Sequence, residues 1–171
     1  PKAIKVLVEV LQDKTQEPMV RHEAAEALGA IGNPEVLEIL ETYRKDSVAE
    51  VAETCEIALD RVKWLRDNHE REKLPKSPYS SVDPAPPTTE ISVDKLKDIL
   101  LDEKASLFDR YRAMFALRNM QSNEAVSVLA SALRHGSALF KHEVAFVLGQ
   151  LQNEGSVRQL IESLEDQREN E

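Results

Sequence analysis

The sequence predicts an all-α protein, an α-solenoid of helical hairpins in two halves joined by a Pro-rich linker. Three observations predict it. Leu, Ala, Glu and Val dominate the 171 residues, while glycine is scarce at five and aromatics are few, a helical rather than a sheet composition. Apolar residues return at helical spacing in block after block, from Ile4 to Leu164. The blocks also repeat. Phe115 to Leu133 aligns without a gap on Phe146 to Leu164 at an offset of 31, matching Phe, Leu, Gln, Val, Leu and Leu. Val20 to Ile31 aligns on Val51 to Val62 at the same offset. A helix pair repeating every thirty-odd residues is a solenoid of the HEAT type, slightly short for that class, in which each unit covers its neighbour's apolar face.

The elements follow in order. Ile4, Leu7, Val8 and Leu11 stand at i, i+3, i+4 and i+7, an amphipathic helix over residues 2–13. Pro18 opens a second helix in its first turn, where a missing N–H is tolerated. Asn33-Pro34 ends that helix and starts a third, with Asn33 as N-cap and Pro34 at the first position. Val36, Leu37, Leu40 and Tyr43 form the third helix's buried stripe. Ser47-Val48-Ala49-Glu50 reads as a capping box for a fourth helix running to about Arg66. Residues 67–91 change character: a wholly polar run, then five of the eight prolines between Pro75 and Pro87. This predicts an extended or disordered linker over 67–91, between a HEAT-like N-terminal half (1–66) and a HEAT-like C-terminal half (92–171), both partial. Helical periodicity resumes at Val93 and continues through Leu107–Met120, Glu124–Leu133, Ala138–Leu151 and Val157–Leu164.

Composition narrows the function. A formal charge of −9 argues against nucleic acid or an anionic membrane as partner, since both call for clustered Lys and Arg. Cys55 is the single cysteine, which excludes a disulfide framework and a Cys-based zinc site. No apolar run reaches the roughly 20 residues that span a bilayer, and a reducing cytoplasmic setting is the expectation. His69 in the polar run and His135 beside Gly136 have no partner motif and read as surface residues; Cys55 and Trp64 read as packing residues.

Chemistry concentrates in one dipeptide. Val20 to Gly32 is a helix with His22-Glu23 near its start, and Lys141 to Asn153 repeats it 120 residues later with His142-Glu143. Of the thirteen positions from Arg21 to Asn33, six recur identically: His, Glu, Ala, Leu, Gly and Asn. One such pair is explained by the helix dipole, which favours a carboxylate at the N-terminal end. Two copies argue for a site. Packing keeps core positions alike between repeats but leaves polar ones free, and the neighbouring repeats carry Glu53-Thr54 and Tyr111-Arg112 instead. Imidazole plus carboxylate suits Fe(II) or Mn and leaves positions open for oxygen. Adjacent helical residues diverge by about 100°, so each pair needs ligands from another helix. A step of 31 back from His22 falls before Pro1, and the match of Ala3–Asp13 on Ser156–Asp166 carries His22 to a point beyond Glu171. The expectation is an internal piece of a longer symmetric protein, weak in iron binding and turnover by itself, its uncovered terminal faces inviting self-association.

Pro18 to Gly32, Val51-Ala52-Glu53-Thr54-Cys55, Ser81-Val82-Asp83-Pro84-Ala85-Pro86-Pro87, Arg110 to Asn119 and His142-Glu143 through Leu151 closely resemble deoxyhypusine hydroxylase over essentially the whole chain. The resemblance implies a dinuclear non-haem iron monooxygenase built from two HEAT-repeat halves, with O₂ as co-substrate. The implied substrate is a deoxyhypusine side chain on a translation factor, in the last step of hypusine formation. It also implies four His-Glu motifs, of which His22-Glu23 and His142-Glu143 would be the second and third, supplying metal ligands, and it implies no catalytic residue beyond them. The histidines are the firmer ligands; a glutamate in such a site can instead orient bound water. On fold alone the alternative is a metal-free HEAT-repeat interaction scaffold.

Overall fold

The computed structural model describes residues 2–67 and 77–169. Nine α-helices run through them: α1 (Lys2–Gln12), α2 (Pro18–Ile31), α3 (Leu37–Tyr43), α4 (Ala49–Asp67), α5 (Val93–Leu101), α6 (Leu107–Met120), α7 (Asn123–Ala132), α8 (Ala138–Leu151) and α9 (Val157–Leu164). Short 3₁₀ turns at Pro34–Val36 and Glu154–Ser156 precede α3 and α9. No strand occurs among the described residues. The all-α solenoid expected from the repeats is the fold.

The chain forms two compact units, residues 1–73 with 80–86, and residues 74–79 with 87–171. In the first, α2 packs against both α1 and α4, and α3 packs on α4. Leu11, Ala25, Leu28, Leu40, Val51, Cys55 and Val62 are fully buried in its core. A closed leucine contributes about 2 kcal/mol. Gly29 sets the α2–α4 approach, since a Cβ there would stand 2.7 Å from the Ala58 Cβ. In the second unit α5 packs on α6, α6 on α7 and α8, and α7 on α8 and α9. Its core holds Leu96, Leu100, Met114, Phe115, Leu117, Leu129, Phe140, Val144 and Val147, all fully buried.

Repeat register persists in the helix ends. α2, α6 and α8 each stop at a left-handed residue, Gly32 (φ 69°), Gln121 (φ 53°) and Gln152 (φ 50°). Ser92, Ser106, Ser122 and Ser137 cap their helices by accepting a backbone N–H three residues on. Asn33 accepts the Glu35 N–H as anticipated. The capping box at Ser47 does not form. Helix α4 begins at Ala49, one residue too late for Ser47 to cap it, and Asp46 instead accepts the Val48 N–H at 2.9 Å. Residues 77–91 hold neither helix nor strand. They are not free coil, because Ala85 is fully buried and Arg61 Nε donates to the Asp83 carbonyl. His69 lies outside the described residues.

Candidate metal-ligand pairs and their surroundings

His22-Glu23 and His142-Glu143 occupy the same position, the fifth and sixth residues of α2 and α8. Their exposures are opposite. His22 is 4% exposed and Glu23 is open to solvent, whereas Glu143 is 7% exposed and His142 is open. Helix α2 packs against α1 and α4, and Met19 of its first turn lies against the imidazole. Glu143 is buried, as are Phe140 and Val144 of the same helix. The His22 Nε2 lies 3.0 Å from the Met19 Sδ and 3.8 Å from the Glu23 Oε1. Among the described residues no three His, Cys, Asp or Glu side chains are grouped closely enough to hold a metal ion. His135 is exposed, in line with its lack of a partner motif, and Cys55 is buried, in line with its helical spacing.

Beside each pair stands a basic residue. Arg21 is buried, donating Nε to the Leu11 carbonyl at 3.0 Å and closing a bidentate ion pair on Asp46. That hydrogen bond holds the Asp46 carboxyl below the ordinary carboxylate range and raises Arg21. Arg110 repeats the first contact, Nε to the Leu100 carbonyl at 2.9 Å, and stacks 3.8 Å over the Phe140 ring. Lys141, next to His142, pairs with Glu169. These clamps fix the opening turns of α2, α6 and α8. The repeat itself could have revealed two of them, because Arg21 and Arg110 each follow their carbonyl partner by ten residues.

Two further residues belong to the same register. Arg112, at the Glu143 position one repeat earlier, lines a cavity of about 230 Å³ with Thr88, Ile99, Ala105 and Asp109. Burial lowers its pKa from the ordinary arginine value. Glu26, one turn beyond His22, is half-buried, and burial first, then Glu23, pushes its carboxyl above the usual range.

Comparison with known proteins places these features. HEAT repeats are matched over residues 1–60, and a PBS lyase HEAT-like repeat over 109–135. The chain is 60% identical over 172 residues to deoxyhypusine hydroxylase of Drosophila pseudoobscura pseudoobscura, across 100% of its own length and 56% of that protein's. It is 60% identical over 163 residues to the Homo sapiens deoxyhypusine hydroxylase, across 95% of this chain and 53% of the human one. Over essentially its whole length the chain is similar to deoxyhypusine hydroxylases. The solved structure of human deoxyhypusine hydroxylase in complex with glycerol superposes with a TM-score of 0.93 at 58% identity, covering 99% of this chain and 58% of that one. The chain thus spans a little over half the length of the deoxyhypusine hydroxylases it matches, and both His-Glu pairs lie inside the matched span. No helix of the described residues is long and apolar enough to cross a membrane.

Proposed function

We propose that this chain carries part of a di-iron monooxygenase that hydroxylates a deoxyhypusine side chain on a translation factor, in the cytoplasm. The observation carrying the reading is the recurrence of His-Glu at one helix position in two repeats, absent from the repeats beside them. In this reading residues 1–66 and 92–171 are two HEAT-like halves and 67–91 joins them.

The donor types fit iron. Two imidazoles and two carboxylates are a borderline nitrogen and hard oxygen set of the kind that non-haem Fe(II) takes, with no thiolate to favour zinc or copper. His22 with Glu23, and His142 with Glu143, would each supply part of an iron ligand set. When bound, iron would supply O₂ activation for insertion of an oxygen atom into a carbon–hydrogen bond. The chain's own contribution is placement. The Arg21–Asp46 pair fixes the turn that carries His22, and the Ser137 cap and Lys141 fix the turn that carries His142. Burial of His22 limits water around its ring. The overall negative charge suits a cationic alkylamine substrate and disfavours nucleic acid or an anionic membrane.

Anaerobic titration with Fe(II), comparing wild type with the His22→Ala plus His142→Ala variant, tests the assignment. Wild type should take up iron that the double variant does not. Equal iron in both would leave the metal-free scaffold, which the exposed Phe146, Val157, Ile161 and Leu164 would then serve.

A further inference from the structure

Position 26 departs from a rule that the other helices of its register keep. At the equivalent place stand Ile57 in α4, Phe115 in α6 and Phe146 in α8. Ile57 and Phe115 are core residues, 3% and 0% exposed, whereas Phe146 is 50% exposed. Helix α2 alone carries a carboxylate there, half-buried, and no cation pairs with it among the described residues. Removing a carboxylate from water without a counter-charge is unfavourable, and the hydrophobe at this place in the next repeat, Ile57, packs into the core. Local rules of this kind are broken where a protein has a functional demand to meet.

The stripe around Glu26 indicates what that demand is. Met19, His22, Glu23 and Glu26 stand at i, i+3, i+4 and i+7, one face of α2. Met19 is 55% exposed and its sulfur touches the imidazole. The face therefore offers an apolar, adaptable thioether on one side of His22 and an uncompensated carboxylate on the other. A short methylene chain ending in an ammonium group matches that order: the chain lies along Met19 and the charge meets Glu26.

Resting on the oxygenase reading above, we propose that Glu26 is a specificity residue that receives an alkylammonium group of the substrate, and is not itself a metal ligand. The bound ammonium supplies the counter-charge that the folded chain withholds from this carboxylate.

The test uses the whole chain, with and without Fe(II), and 1,4-diaminobutane as probe, with n-butanol as its uncharged control. Glu26→Gln and Glu26→Ile should take up as much iron as wild type, and Glu26→Ile, which restores the residue of the neighbouring repeat, should melt at a higher temperature. Both should weaken diamine binding about tenfold, the scale of one charge-assisted contact, while Glu26→Asp retains most of it. Diamine affinity unchanged in Glu26→Gln overturns the proposal, as does wild type binding the diamine no more tightly than n-butanol. Loss of iron in Glu26→Gln also overturns it, by making the residue a ligand. The amine result is read without iron as well. If diamine binding depends on Glu26 but His22→Ala plus His142→Ala leaves iron uptake unchanged, the amine site stands and the oxygenase reading falls.

Discussion

Arg21 and Asp46 form a bidentate ion pair, Nη2 to Oδ2 at 2.6 Å and Nη1 to Oδ1 at 3.3 Å, with side chains only 4% and 2% exposed. The pair ties α2 to the turn before α4 one residue ahead of His22. Breaking it from one side leaves a buried charge without its counterpart, which costs several kcal/mol. Asp46→Asn should lower the unfolding free energy by about 3 kcal/mol in chemical denaturation. The pH dependence follows from the lowered Asp46 carboxyl. A depressed native pKa gives stability that is present above the unfolded value, near pH 4, and is lost as pH falls toward the native one. The difference between wild type and Asp46→Asn should therefore be full at neutral pH and shrink in acid below about pH 4. A difference independent of pH would show that the pair is not the source.

Gly29 and Gly149 hold the same position in α2 and α8 but face different surroundings. A Cβ on Gly29 meets Ala58 at 2.7 Å, while one on Gly149 meets nothing within 4 Å. Gly29→Ala should destabilise by about 1–3 kcal/mol through overpacking of the α2–α4 crossing. Gly149→Ala should instead gain about 0.5–1 kcal/mol from helix propensity. Thermal melts of the two variants, run side by side, distinguish a packing glycine from an unconstrained one. Equal effects would contradict the close approach.

Most of the architecture was legible because solenoid repeats write their packing into a fixed period. The 31-residue offset pairs Glu26 with Ile57 and Phe115 with Phe146, and the 120-residue echo relates the two His-Glu pairs. What was not legible depends on partners distant in sequence. Nothing local distinguishes Asp46, 25 residues from Arg21, from any other surface aspartate. The capping box at Ser47 failed for the same reason, since Asp46 competes for the turn while anchored by Arg21. The opposite exposures of His22 and His142 were equally hidden, as identical helix positions differ only in which helices surround them. Periodicity reports the face of a helix, and only tertiary packing decides whether that face is covered.

The two His-Glu helices begin differently, and the difference can be measured. Ser137 caps α8 by accepting the Phe140 N–H at 3.2 Å, whereas Glu17 precedes Pro18 at the start of α2 and makes no side-chain cap. Ser137→Ala should lose about 1 kcal/mol and increase amide exchange in the turn holding His142. Glu17→Ser should gain a similar amount in α2, because its backbone already has the extended ψ of 145° that a capping serine adopts. Amide exchange resolved to these two turns is the readout; an unchanged α8 turn in Ser137→Ala would mean that Lys141 and Glu169 hold it without the cap.

Cys55 offers a probe of the first unit's core that needs no structural change. It is fully buried beside the Arg21–Asp46 pair, and burial above all, then the nearby Asp46 charge, pushes its thiol up to about 12. The thiolate is the reactive form, so at neutral pH the folded chain presents almost none of it, and what forms is screened from reagent. Maleimide labelling should be slow in the native state and should reach the rate of an open thiol only after unfolding. Because Cys55 belongs to the core built from α1, α2, α3 and α4, labelling then reports opening of the unit that carries His22. Asp46→Asn should accelerate it in proportion to its loss of stability, since labelling proceeds through the opened population. Rapid labelling of the wild type under native conditions would mean that this core is not closed around the cysteine.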